Sequence, residues 1–152
     1  MIKEFDHTID ENAHQIWCIF QSSYAIEAKM LKAINFPPLN RTVSQFLISE
    51  TKFYAFYDRE IICGIIEIDH NNTLTHIQSL VVDPEYFRQG IARKLVAYVL
   101  SIYNSKIITV ETGLKNIPAI KLYKSFNFKE KNQWDTDHGV RKISFEFTPN
   151  GV

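Results

Sequence analysis

"VVDPEYFRQGIARKL", residues 81–95, runs from an apolar strand end through a proline turn and an Arg-Gln-Gly step into an amphipathic helix start. Where a strand feeds a helix through a glycine-containing turn, the first helical N–H groups lack internal partners and point outward with the positive end of the helix dipole. Such an end is suited to phosphate. The groups concerned are the amides of Arg88, Gln89, Gly90, Ile91, Ala92 and Arg93; Gly90 admits a ligand close to the backbone, and Arg88, Arg93 and Lys94 add local positive charge. On this stretch alone, a glycine serving only a tight turn beside solvated cations is an equal reading. Neither G-x-G-x-x-G nor G-x-x-x-x-G-K-[ST] occurs, which disfavours a Rossmann dinucleotide site and a P-loop.

Outward from this turn the chain alternates strand and helix patterns. "MIKEFDHTID" reads as a first strand, not a signal peptide. Residues 10–36 carry Ile16, Trp17, Ile19, Phe20, Tyr24, Met30, Leu31 and Ile34 at helical spacing, with Asp10 as a cap and "QSSY" as a break into two helices. "FPPLN" stops the second, and a short helical piece follows at "TVSQFLIS". "KFYAFYD", "IICGIIEID" and "LTHIQSLVV" predict an antiparallel meander. "IARKLVAYVLSIY" returns to helical period, "KIITVET" is a strand, and "NIPAIKLYKSF" is a helix with Asn116 as N-cap, Pro118 in its first turn and Asn127 closing it. "FKEKNQW" and "VRKISFEFT" form a final hairpin. The expected architecture is α/β (α+β), one domain over 1–152.

With 152 residues, 45% of them hydrophobic, the chain can bury one core. Seventeen basic and seventeen acidic side chains cancel, so no global field draws nucleic acid or an anionic membrane. No apolar run approaches the roughly 18 residues that span a bilayer. Cys18 and Cys63 have no zinc or redox spacing and read as buried thiols, and no metal is implied. These features set a cytoplasmic expectation and leave oligomeric state open, a homodimer included.

Two motifs carry a family resemblance. "VVDPEYFRQGIARKL" is similar to the coenzyme A pyrophosphate signature of the GNAT family of N-acetyltransferases, V-x-P-x-x-[QR]-x-x-G-x-[GA], with Pro84, Gly90, Ile91 and Ala92 in register. Phe87 stands where the family usually has Gln or Arg, which leaves the grip to backbone amides. "VETGLKNIPAIKLYKSFNF" resembles the family's second motif through Asn116, Ala119, Tyr123 and Asn127-Phe128. The resemblance covers essentially the whole chain. It implies the GNAT fold: a mixed central sheet of about six to seven strands, a splayed fourth and fifth strand, and about four flanking helices. It also implies acetyl-CoA as co-substrate, phosphates on residues 88–93, and amides of Leu80, Val81 and Val82 at a bulge in "SLVV" meeting the pantetheine arm and acetyl carbonyl.

Acetyl transfer to an amine needs a neutral amine, donors for the oxyanion and an acid for the thiolate. Tyr123, a phenol near ~10 facing a thiol near ~8.5, is the expected acid, and Asn116 and Tyr123 count among the cofactor contacts. Glu111 lies five residues before Asn116, the offset of a catalytic glutamate in ribosomal-protein N-terminal acetyltransferases of the family, and is the first candidate base. His76 follows, then Glu67; a water relay without a single base also serves. No cysteine nucleophile is required, so the amine attacks directly in a ternary complex. Trp17, Tyr24, Glu27, Met30, Phe36 and Trp134 are candidates to line the acceptor cleft; most read as core, and Glu27, a lone carboxylate amid apolar neighbours, reads either as a holder of a cationic amine or as a solvated helix residue. The acceptor is left as an unidentified small-molecule or protein amine. The rival is a catalytically silent acyl-CoA sensor or interaction module.

Overall fold

The computed structural model describes residues 1–103 and 107–149. Its strands are β1 (Ile2–Phe5), β2 (Lys52–Asp58), β3 (Ile61–His70), β4 (Leu74–Val82), β5 (Ile107–Gly113), β6 (Lys129–Asp135) and β7 (Arg141–Phe147). They join in one sheet ordered β1-β2-β3-β4-β5-β7-β6, antiparallel except for β4 beside β5. The helices are α1 (Asp10–Leu31), α2 (Val43–Leu47), α3 (Ile91–Ile102) and α4 (Ile117–Ser125). The expected α/β architecture is present, with seven strands and four α-helices among the described residues.

Period-two alternation sorts side chains between the faces. Phe53 and Ala55 of β2 meet Ile16 and Phe20 of α1 and Phe46 of α2, while Tyr54 between them joins Leu95 and Val99 of α3. Tyr123, Phe128 and Phe145 extend the second core beneath α4. Among the described residues no helix is long and apolar enough to cross a membrane.

The opening in the sheet has a local cause. Glu67 pairs with Ser79 and Ile68 with Ile77, so Gln78 has no partner across β3. This bulge reverses the alternation of β4: Ile77 packs on the α3 side, whereas Ser79 turns toward Glu67 on the other. Parallel pairing with β5 ends at Ile77 and Val110. Beyond that point β4 keeps only β3 and β5 only β7, so the two strands part. The sequence places the bulge at "SLVV"; it begins one residue earlier.

Three local expectations are corrected. Residues 10–31 form one unbroken helix, since Ser22 and Ser23 weaken a helix without removing a hydrogen bond, and the chain turns only at Lys32, with φ 55°. Ile9 occupies the N-cap and Asp10 sits inside the first turn, where its charge complements the dipole. Cys18 is exposed, and only Cys63 is buried. The second helix of the fold is α2, held by a reciprocal Thr42–Gln45 capping box. Asn116 caps α4 by accepting from the Ala119 amide, and Asn127 takes the left-handed conformation at φ 69°.

Candidate active site

At the start of α3, Gly90 holds the N-cap at φ 75° with no side-chain cap, and Arg88 is also left-handed at φ 65°. Among the described residues no acceptor is found for the amides of residues 88 to 93; the first bond of the helix runs from the Lys94 amide to the Gly90 carbonyl, 3.1 Å. A Cβ on Gly90 would meet nothing within 4 Å, and residues 88 and 90–93 border open space. Unpaired N–H groups at a helix start facing open space suit a phosphate. Arg93 donates to Ser125 Oγ at 2.9 Å and lies over the Phe126 ring, joining α3 to α4.

The parted strands open into a cavity of about 1400 Å³. Its wall includes Leu80 and Val82 from β4, Arg88, Gly90, Ile91, Ala92 and Arg93 from the turn, His76 and Glu111 from the strand face, and Asn116 and Tyr123 from α4. Two expected contacts lie elsewhere. Val81 is buried in the α1-side core, and Gln89 is exposed outside the lining. Ladder alternation explains Val81: the Asp83 amide bonds the Cys63 carbonyl across to β3, which turns the amides of Leu80 and Val82 toward the open side. Tyr24, Glu27, Met30 and Phe36 line the same cavity, while Trp17 and Trp134 do not.

The ionisable groups divide into engaged and available ones. Glu67 is fully buried and receives Arg41 through two nitrogens, each at 2.7 Å, together with Thr51 Oγ1 at 2.6 Å and Ser79 Oγ at 2.9 Å. Arg41 also stacks over the Phe46 ring at 4.2 Å. This former base candidate is a structural ion pair with its oxygens occupied. Glu111 accepts from Lys142 Nζ at 2.5 Å. His76 bonds Thr109 Oγ1 through Nδ1 at 2.7 Å; burial pushes its pKa down, and the nearby carboxylates of Glu111 and Asp69 oppose that shift.

Glu27 is half-buried on the inner face of α1, and its Oε1 accepts from Asn116 Nδ2 at 2.9 Å. Loss of water raises its pKa to about 7, against the opposing pull of Lys142 and the Asn116 hydrogen bond. Asn116 thus has both ends engaged, its oxygen by the α4 cap and its nitrogen by Glu27. Tyr123, 4% exposed, packs against Phe128 and Phe145; burial first and the Glu27 charge second raise its pKa above the ordinary phenol value. The phenol is therefore protonated at neutral pH. The sequence singles out Glu27 as a lone carboxylate suited to a cationic amine, but not its neighbours Asn116 and Lys142, which are remote in the chain. No group of His, Cys, Asp and Glu suited to a metal occurs among the described residues.

Residues 13–128 match a family model described as the acetyltransferase (GNAT) family. A curated relative, UPF0157 protein YqkA of Bacillus subtilis (strain 168), is 26% identical over 150 residues, which cover 98% of this chain and 44% of that protein. The chain thus spans less than half the length of the curated relatives it matches. Among solved structures, the ribosomal-protein-S18-alanine N-acetyltransferase of Escherichia coli superposes with a TM-score of 0.75 at 17% identity, covering 100% of this chain and 97% of that one. The yncA protein of Salmonella typhimurium, solved with its cofactor acetyl-CoA, does so with a TM-score of 0.75 at 12% identity, covering 100% of this chain and 95% of that one. These two likenesses concern the fold.

Proposed function

This chain belongs to the GNAT acetyltransferase family, and we propose that it moves an acetyl group from acetyl-CoA to a primary amine by direct attack in a ternary complex. The observation that carries the reading is the concurrence, in one cavity, of the unpartnered amides of Arg88 and of Gly90 to Arg93 with the protonated phenol of Tyr123. In this reading the amides of Arg88, Gly90, Ile91, Ala92 and Arg93 hold the diphosphate. The amides of Leu80 and Val82 receive the developing oxyanion, because the bulge frees them from β5. The amine nitrogen attacks the thioester carbonyl, a C–N bond forms, the C–S bond breaks, and the thiolate takes the Tyr123 proton. The N-protonated amide left by that collapse then returns its extra N–H proton to the phenolate. The first ammonium proton leaves toward the wall on which His76, Glu111 and Glu27 stand.

Acetyl-CoA is the co-substrate in this reading. Tyr123→Phe tests it: kcat should fall by roughly 10²-fold or more while acetyl-CoA affinity stays within a few-fold. Equal losses of turnover and affinity would contradict the acid role. Thiol release with amine and acetyl-CoA present, read against slow hydrolysis, separates a transferase from a silent acyl-CoA sensor.

A further inference from the structure

Two carboxylates line the cavity, Glu27 and Glu111, and a third, Glu67, is buried behind its wall; Glu67 is engaged by Arg41, Thr51 and Ser79, and Glu111 by Lys142. Among the described residues, Glu27 is the carboxylate on this wall hydrogen-bonded by a neutral donor, the Asn116 amide, while Lys142 attracts it without an ion pair. The same wall carries the apolar Phe20, Tyr24, Ile26, Met30 and Phe36, with Ser23, Asn40, Arg41 and Gln45 among them. Ile26 and Met30 remain exposed at the rim, at 42% and 43%. One uncommitted carboxylate in an apolar recess can neutralise one ammonium. A second or third cationic group on the acceptor would be desolvated without a partner.

From this arrangement, and resting on the transferase reading above, we infer that Glu27 receives the acceptor ammonium and takes its first proton, so that the substrate class is a primary monoamine carried on an apolar group. The step balances: the ammonium gives one proton to the Glu27 carboxylate and becomes the neutral nucleophile, and the protonated carboxyl returns that proton to water after product leaves. Asn116 is a positioning residue, fixing the carboxylate from α4 while its other atom caps that helix. The titratable groups facing Glu27 are Tyr24 on α1, Tyr123 on α4 and Lys142 on β7. Glu111 of β5 binds that lysine, and His138 before β7 stands on the cavity wall. A carboxyl with a pKa of about 7 is ionised above that pH and neutral below it, so proton removal should fail as the pH drops through 7.

The test compares the full chain with Glu27→Gln and Glu27→Asp, using phenethylamine as the apolar monoamine and spermidine and kanamycin as polycations. The wild type should prefer phenethylamine in kcat/KM and show an acidic limb near pH 7. Glu27→Gln should lose roughly 10²-fold in kcat/KM and the limb with it, and Glu27→Asp should recover part of the rate. All three should give the same thermal shift with acetyl-CoA, which reports an intact fold and cofactor end. Glu27→Gln retaining activity within about threefold and an unchanged limb overturns the Glu27 assignment alone. Preference for a polycation overturns the substrate class. A wild type that binds acetyl-CoA and consumes no amine overturns the transferase reading, and this inference with it.

Discussion

Glu67 and Glu27 are two carboxylates withdrawn from water within one fold, and they differ in what meets them. Glu67 lies on β3 at the floor of the α1-side core, where a bidentate guanidinium and two hydroxyls occupy its oxygens. Glu27 lies on a helix face that the parted strands leave open, with one amide donor and a free path to the cavity. Burial alone therefore does not make a reactive carboxylate. It makes one when compensation is incomplete and a ligand can supply the remainder.

The largest effect should come from breaking the compensated side. Arg41→Ala leaves a fully buried carboxylate without its cation, and stability should fall by about 3–5 kcal/mol, read from the midpoint of urea unfolding. An unchanged midpoint would mean that Glu67 gains little from its partner. Asn116→Ala should act on the Glu27 side of the comparison, and more gently. Loss of the cap should cost about 1 kcal/mol, and loss of the donor to the ionised form should raise the Glu27 pKa further, moving the acidic limb of kcat/KM upward. A limb moving downward would exclude the hydrogen bond to Glu27 as drawn.

The smallest effect concerns stability against pH. The folded chain holds the Glu27 proton up to about pH 7, whereas an unfolded glutamate releases it near the ordinary value of 4.5. Between these values the native state binds more protons, so the Glu27 contribution to stability improves as pH falls and is least favourable above 7. Glu27→Gln, which cannot ionise, should raise Tm at pH 8 by up to about 3 °C and leave it nearly unchanged at pH 4. A lower Tm at pH 8 would mean that the attraction of Lys142 and the Asn116 hydrogen bond outweigh desolvation.

The cofactor end and the acceptor end were unequally legible in the sequence. The turn at Pro84–Gly90, the Asn116 cap, Pro118 and Asn127 are local devices, each a residue type dictated by its own φ/ψ or its neighbour's free N–H. Their reading carried to the structure, as did the meander, the final hairpin and the parting of β4 and β5. Residue-level detail at the bulge was less legible, because one unpaired residue, Gln78, decides which amides face the opening, and Val81 turns away as a result. The acceptor end depends on long-range pairs: Glu27 with Asn116 across 89 residues, and Arg41 with Glu67 across 26. Periodicity assigns Glu27 to a helix and Glu67 to a strand, but it carries no information about which of them meets a cation.

A carboxyl-carbon NMR titration of Glu27 in the free chain tests the contrast most directly. The account predicts a midpoint near pH 7, moving higher in Asn116→Ala. A midpoint at the ordinary glutamate value near ~4.3 would show a solvated side chain with no special reactivity, and would contradict it.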